Sequence, residues 1–84
     1  TLTLQDVKAG VKKDSVKNQL EIIRLRNTSK AFLGTVKIND SNDNEIDILW
    51  THQNDSAQLI ANLQTKSFHI NYMENDLIKT IKYL

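Results

Sequence analysis

From residue 19 to residue 50 the chain alternates apolar and polar positions in three short runs, separated by the polar clusters 27–30 and 39–44. A period of two places every second side chain on one face of a strand. Clusters of Asn, Asp, Ser and Thr between such runs are where a sheet folds back. Residues 20–26 read as a strand with Ile23 and Leu25 on one face and Arg24 and Arg26 on the other. In 31–39, Phe32, Gly34, Val36 and Ile38 share a side against Thr35, Lys37 and Asn39. Gly34 within that run predicts a bulge or a close backbone approach. Residues 45–51 set Ile46, Ile48 and Trp50 inward and Asp47 and Thr51 outward.

The second half continues the rhythm. In 57–63, Leu59, Ala61 and Leu63 alternate; Leu59 and Leu63 also sit four apart, behind Ser56 as a possible helix cap. Seven residues are short for a helix, so a strand is favoured. The cleanest strand is 67–73, with Phe68, Ile70 and Tyr72 against His69, Asn71 and Met73. Glu74-Asn75-Asp76 is a turn, and 77–84 closes a hairpin with Leu77, Lys79, Ile81 and Tyr83 on one face. Residues 1–18 are the hardest to assign. Leu2 and Leu4 alternate with threonines, while Val7 and Val11 also fit a short helix that Gly10 weakens by about 1 kcal/mol relative to Ala. A strand, a bend near Gly10 and an irregular lead-in are favoured there.

Six or seven short strands with turn signals every eight to twelve residues or so predict an all-β fold: a small antiparallel β-sandwich of about seven strands. No proline disqualifies any strand from a central place. The expected domain plan is one domain over 1–84, with 1–18 a lead-in and 19–84 the sandwich body. Its expected core is Phe32, Val36, Ile38, Ile46, Ile48, Trp50, Phe68, Ile70 and Tyr72. Trp50, ending a strand whose inward face it shares with Ile46 and Ile48, is expected to plug that core, a burial worth about 2–3 kcal/mol.

Composition narrows the picture further. Eighty-four residues hold one core, and a chain this short buries only about 60–65% of the surface its unfolded form exposes. The mean hydropathy of −0.45 is modest. There is no cysteine, which removes disulfides and Cys-based zinc sites and is neutral about compartment. A net charge of +1 speaks against a dedicated nucleic-acid binder and against an acidic membrane surface. No apolar run approaches the roughly 18 residues of a bilayer span, so no membrane insertion is expected. The chain opens at Thr1 without Met or a basic leader, as a piece of a longer protein or a processed form would.

Candidate chemistry is thin. Asp40, Asn42 and Asn44 occupy the first odd positions of a calcium loop. Glu45 stands where its glycine is required and Thr51 where its bidentate glutamate is required, so a hairpin turn is the reading. His52 and His69, both expected to face away from the core, share no metal-ligand spacing, and no other residue completes a set. No serine lies in a nucleophile elbow, and two glycines cannot build a phosphate-cradling loop. No catalytic role and no cofactor are expected. Asn27-Thr28-Ser29 and Asn54-Asp55-Ser56 are formal glycosylation sequons that matter only in a secreted eukaryotic protein. Arg24 and Arg26, joined by Lys37 and His69, form a candidate surface-binding stripe. A single-strand binder would also need exposed aromatics, and those fall at core positions.

The order Val36-Lys37-Ile38, acidic turn, Ile48-Leu49-Trp50, polar loop, Phe68-His69-Ile70 and last apolar strand resembles an immunoglobulin-like β-sandwich module. It is similar to the accessory domains that follow the catalytic domain in aminopeptidase N-type zinc peptidases, although Glu74-Asn75-Asp76 replaces the Asp-Pro that often closes the last turn there. The resemblance covers about three-quarters of the chain. It implies a non-catalytic structural or protein-interaction module of a larger protein, whose partner is another domain of the same chain or a separate protein. It also implies an extracellular or cell-envelope setting. The alternatives are a small nucleic-acid-binding barrel and a stand-alone inhibitor or immunity-type protein.

Overall fold

The computed structural model describes residues 1–11, 19–42 and 44–83. Helices α1 (Leu4–Val11) and α2 (Gln19–Thr28) and a 3₁₀ turn (Ser29–Ala31) precede five strands. These are β1 (Thr35–Asn42), β2 (Glu45–His52), β3 (Asp55–Asn62), β4 (Ser67–Glu74) and β5 (Leu77–Tyr83). The strands form one antiparallel sheet in the order β1-β2-β3-β4-β5, a meander in which every strand pairs with its neighbour in sequence.

The antiparallel β body agrees with the alternation in the sequence, while the sandwich and the count of seven strands do not stand. Among the described residues there is one open sheet, and helices occupy the place of the second sheet. Their spacing explains why. In α1 the buried residues are Leu4, Val7, Lys8 and Val11, the i, i+3, i+4, i+7 stripe of a helix. In α2, Ile22 and Leu25 are buried, and Ser29 continues the stripe into the following turn. Thr3 caps α1: its hydroxyl accepts from the Asp6 N–H, and the Asp6 carboxylate accepts from both the Thr3 N–H and hydroxyl. The opening strand expected at Leu2 is reduced to one parallel bridge with Phe32, held by Leu2 N–H to Ala31 O and Leu33 N–H to Leu2 O.

One apolar core lies between the helices and the inner face of the sheet. It joins Leu4, Val7, Val11, Ile22 and Leu25 to Ile46, Ile48, Trp50, Leu59, Phe68 and Ile70. Tyr72 closes it at one side, and Phe32 and Val36 are half-buried against it. Ile38 departs from its expected core place. It pairs with Ile48 and so shares the inner face, but it lies on the edge strand β1 and is 41% exposed.

The hairpins use compact connections. Asn75 and Asp76 both take positive φ between the paired Glu74 and Leu77, the conformation of a tight primed turn. Gln53 does the same between β2 and β3, and Lys66 between β3 and β4. Asn62 accepts from the N–H groups of Gln64 and Thr65, an Asx turn that starts the β3–β4 loop. Gly34 lies just before β1, and a Cβ added there would overlap the carbonyl oxygen of Thr51; the close approach expected of it is present.

Candidate functional site

The sheet has two unlike faces, and each polar residue is placed by its parity along a strand. The helix-covered face holds two buried polar links. The fully buried Trp50 donates from Nε1 to Ser29 Oγ at 2.7 Å, and Ser29 in turn donates to the Leu25 carbonyl at 2.7 Å. Lys8, 8% exposed, reaches from α1 to both carboxylate oxygens of Asp55 at 2.7 Å and to the Met73 carbonyl at 2.6 Å. This single ammonium ties α1 to the start of β3 and the end of β4, with all three of its donor directions occupied.

The outer face carries a line of side-chain hydrogen bonds across four strands. Thr80 Oγ1 donates to Asn71 Oδ1, Asn71 Nδ2 to Gln58 Oε1, and Gln58 Nε2 to Asp47 Oδ1, at 2.9, 3.2 and 2.9 Å. Every donor points towards Asp47, so the amide dipoles add up towards a carboxylate that accepts the last bond. Beside this line is a depression of about 680 Å³ whose lining includes Asn39, Asp47, Ile60, Asn62, Ser67 and His69. A second hollow of about 660 Å³ lies at the end of the sheet where Lys8, His52, Asp55 and the β4–β5 turn meet.

The four residues expected to form a surface-binding stripe do not assemble. Arg24 and Arg26 lie on helix α2 rather than a strand, and two positions along a helix differ by about 200° around its axis. That helix covers the inner face, whereas Lys37 on β1 and His69 on β4 stand on the outer face, with β2 and β3 between them. The Asp40–Asn44 run falls partly outside the described residues. Among the described residues no group of three or more His, Asp or Glu side chains is arranged to hold a metal ion. No helix there is long and apolar enough to cross a membrane. The buried Lys8 and Ser29 were missed from sequence because polar residues were not assigned to the core.

No protein-family model matches the chain. It is 34% identical over 82 residues to a sucrose 6(F)-phosphate phosphorylase of Ilumatobacter coccineus, covering 98% of this chain and 16% of that protein. It is 32% identical over 81 residues to the sucrose 6(F)-phosphate phosphorylase of Thermoanaerobacterium thermosaccharolyticum, again 16% of that protein. A glucosylglycerol phosphorylase of Marinobacter adhaerens is 26% identical over 72 residues, which are 86% of this chain and 15% of that enzyme. The crystal structure of sucrose 6F-phosphate phosphorylase from Thermoanaerobacter thermosaccharolyticum aligns with a TM-score of 0.49 and 31% identity, over 96% of this chain and 16% of that one. The chain thus spans about a sixth of the length of the curated relatives it matches.

Two expectations are corrected by these relatives. The likeness to accessory domains of aminopeptidase N-type peptidases gives way, because the similar proteins are phosphorylases and the sheet is single. The expectation that the protein is not an enzyme is corrected as well: the relatives it matches are phosphorylases, of whose length this chain spans about a sixth.

Proposed function

We propose that this chain is an accessory part of a larger phosphorylase, one that cleaves a glucoside with inorganic phosphate, and that its 84 residues act there as one structural unit. The observation that carries this reading is the identity of 34% and 32%, each along nearly the whole chain, with two sucrose 6(F)-phosphate phosphorylases of which it spans a sixth. On this reading the groups that bind phosphate and break the glycosidic bond belong to the remaining length. This chain contributes a sheet stiffened by a helical layer, with Lys8 and Ser29 fixing the two layers in register.

The reaction class sets the test. In phosphorolysis a phosphate oxygen replaces the glycosidic oxygen at the sugar's anomeric carbon, and the aglycone leaves with the proton. Purified full-length polypeptide is offered sucrose 6F-phosphate, sucrose and glucosylglycerol with inorganic phosphate, and glucose 1-phosphate is measured. Its phosphate-dependent formation from any of the three supports the reading. A full-length polypeptide no longer than this chain, or one inert on all three substrates, overturns it.

A further inference from the structure

We propose that the depression on the outer face of the sheet is a binding site for a neutral polyhydroxylated ligand, a pyranose sugar or a small glycoside. The proposal stands on the geometry of this face and not on the phosphorylase reading.

The two halves of the outer face differ in how their polar groups are used. In one half Asp47, Gln58, Asn71 and Thr80 bond to one another across neighbouring strands. In the other half Asn39, Ser67 and His69 make no side-chain hydrogen bond to any described residue, and all three line the depression. Asn39, Asp47, Ile60 and His69 are successive register partners on β1 to β4. Strands are spaced about 4.8 Å apart, so Asp47 and His69 flank Ile60 with about 10 Å between their backbones. That gap suits one pyranose ring with a hydroxyl towards each flank. Ile60, 39% exposed, supplies an apolar floor for the C–H face of the ring.

Orientation and charge select the ligand. Gln58 holds Asp47 through Oδ1, which fixes a carboxylate acceptor at the rim without a conformational search on binding. Carboxylate, amide, hydroxyl and imidazole groups around one floor supply both donors and acceptors, which vicinal hydroxyls require. Among the described residues, the carboxylates that line the depression are Glu45 and Asp47, and no Lys or Arg lines it. A phosphorylated sugar would meet like charge there, so the site discriminates in favour of uncharged ligands.

Hydrogen–deuterium exchange of the full-length protein tests this, with glucosylglycerol, glucose or glucose 1-phosphate as probe at millimolar concentration. The expected result is slower exchange in peptides covering 36–49 and 58–71 with the two neutral probes and not with the phosphate ester. The paired change Asn39→Ala and His69→Ala should abolish the slowing while leaving the melting temperature and any phosphorolytic rate unaltered. Asn71→Ala, in the bonded half of the face, should retain it. No slowing in these peptides, slowing that survives the paired change, or equal slowing by glucose 1-phosphate overturns the proposal. Loss of enzyme activity alone leaves this readout unchanged, which separates the site from the phosphorylase reading.

Discussion

At the scale of single residues, Ser29 carries more than its size suggests. It accepts from the Trp50 indole and donates to the Leu25 carbonyl, so it satisfies two buried groups from two layers at once. Ser29→Ala leaves the buried Trp50 indole N–H without its partner, and leaves the Leu25 carbonyl with the longer bond from Thr28 Oγ1 at 3.2 Å; it should cost about 1–3 kcal/mol, read as a shift in the urea midpoint. An unchanged midpoint would mean that the link contributes nothing. Ser29 and Lys8 also explain where sequence reading stops. The strands were legible because Ile46, Ile48 and Trp50, and likewise Phe68, Ile70 and Tyr72, keep a strict period of two. The helices were not. Lys8 occupies one of the four buried positions of α1, and Ser29 completes the stripe of Ile22 and Leu25. In α2 the wrong pair, Ile23 and Leu25, alternates with Arg24 and Arg26 and so imitates a strand, while in α1 only Leu4, Val7 and Val11 mark the helix and Gly10 weakens it.

At the scale of elements, the two glycines should respond in opposite directions. Gly10 lies within α1, and a Cβ there would rest at ordinary contact distance, 3.5 Å, from Leu25. Gly10→Ala should therefore stabilise by about 0.5–1 kcal/mol, the helical cost of glycine. Gly34→Ala forces backbone apart at the start of β1, because the new atom and the Thr51 carbonyl cannot share the space; its melting temperature should fall. Calorimetry of the pair checks both signs. The α1 cap adds a pH dependence. Hydrogen bonds from the Thr3 hydroxyl and then the Thr3 N–H hold the Asp6 carboxyl below its ordinary value. A carboxylate with a lowered folded pKa stabilises above its unfolded pKa, and that stabilisation is lost as pH falls through the folded value. Asp6→Asn should thus lower stability at neutral pH and converge on the parent in strong acid. Parallel curves at every pH would show that the cap does not depend on the charge.

For the whole molecule, a shared core implies shared fate. Trp50 is the only tryptophan, is fully buried, and touches the helical layer through Ser29. Its fluorescence and the far-ultraviolet circular dichroism of the helices should change at the same denaturant concentration. Separate midpoints would make the helices a distinct unit. At this scale the candidate site was the least legible part of the chain. Asn39, Asp47, Ile60 and His69 are spread over thirty-one positions and become neighbours only through the order of the meander. His69 was singled out as a surface group, but its expected companions Arg24 and Arg26 went to a helix across the sheet.

The ammonium of Lys8 joins positions 47 and 65 residues away along the chain. Hairpins close over short loops, whereas this junction exists only after β3 and β4 have paired and their ends have been brought side by side. Helix α1 is therefore expected to dock late during folding. Amide protons of residues 7–11 should trade with solvent through a cheaper opening than those at the centre of β3.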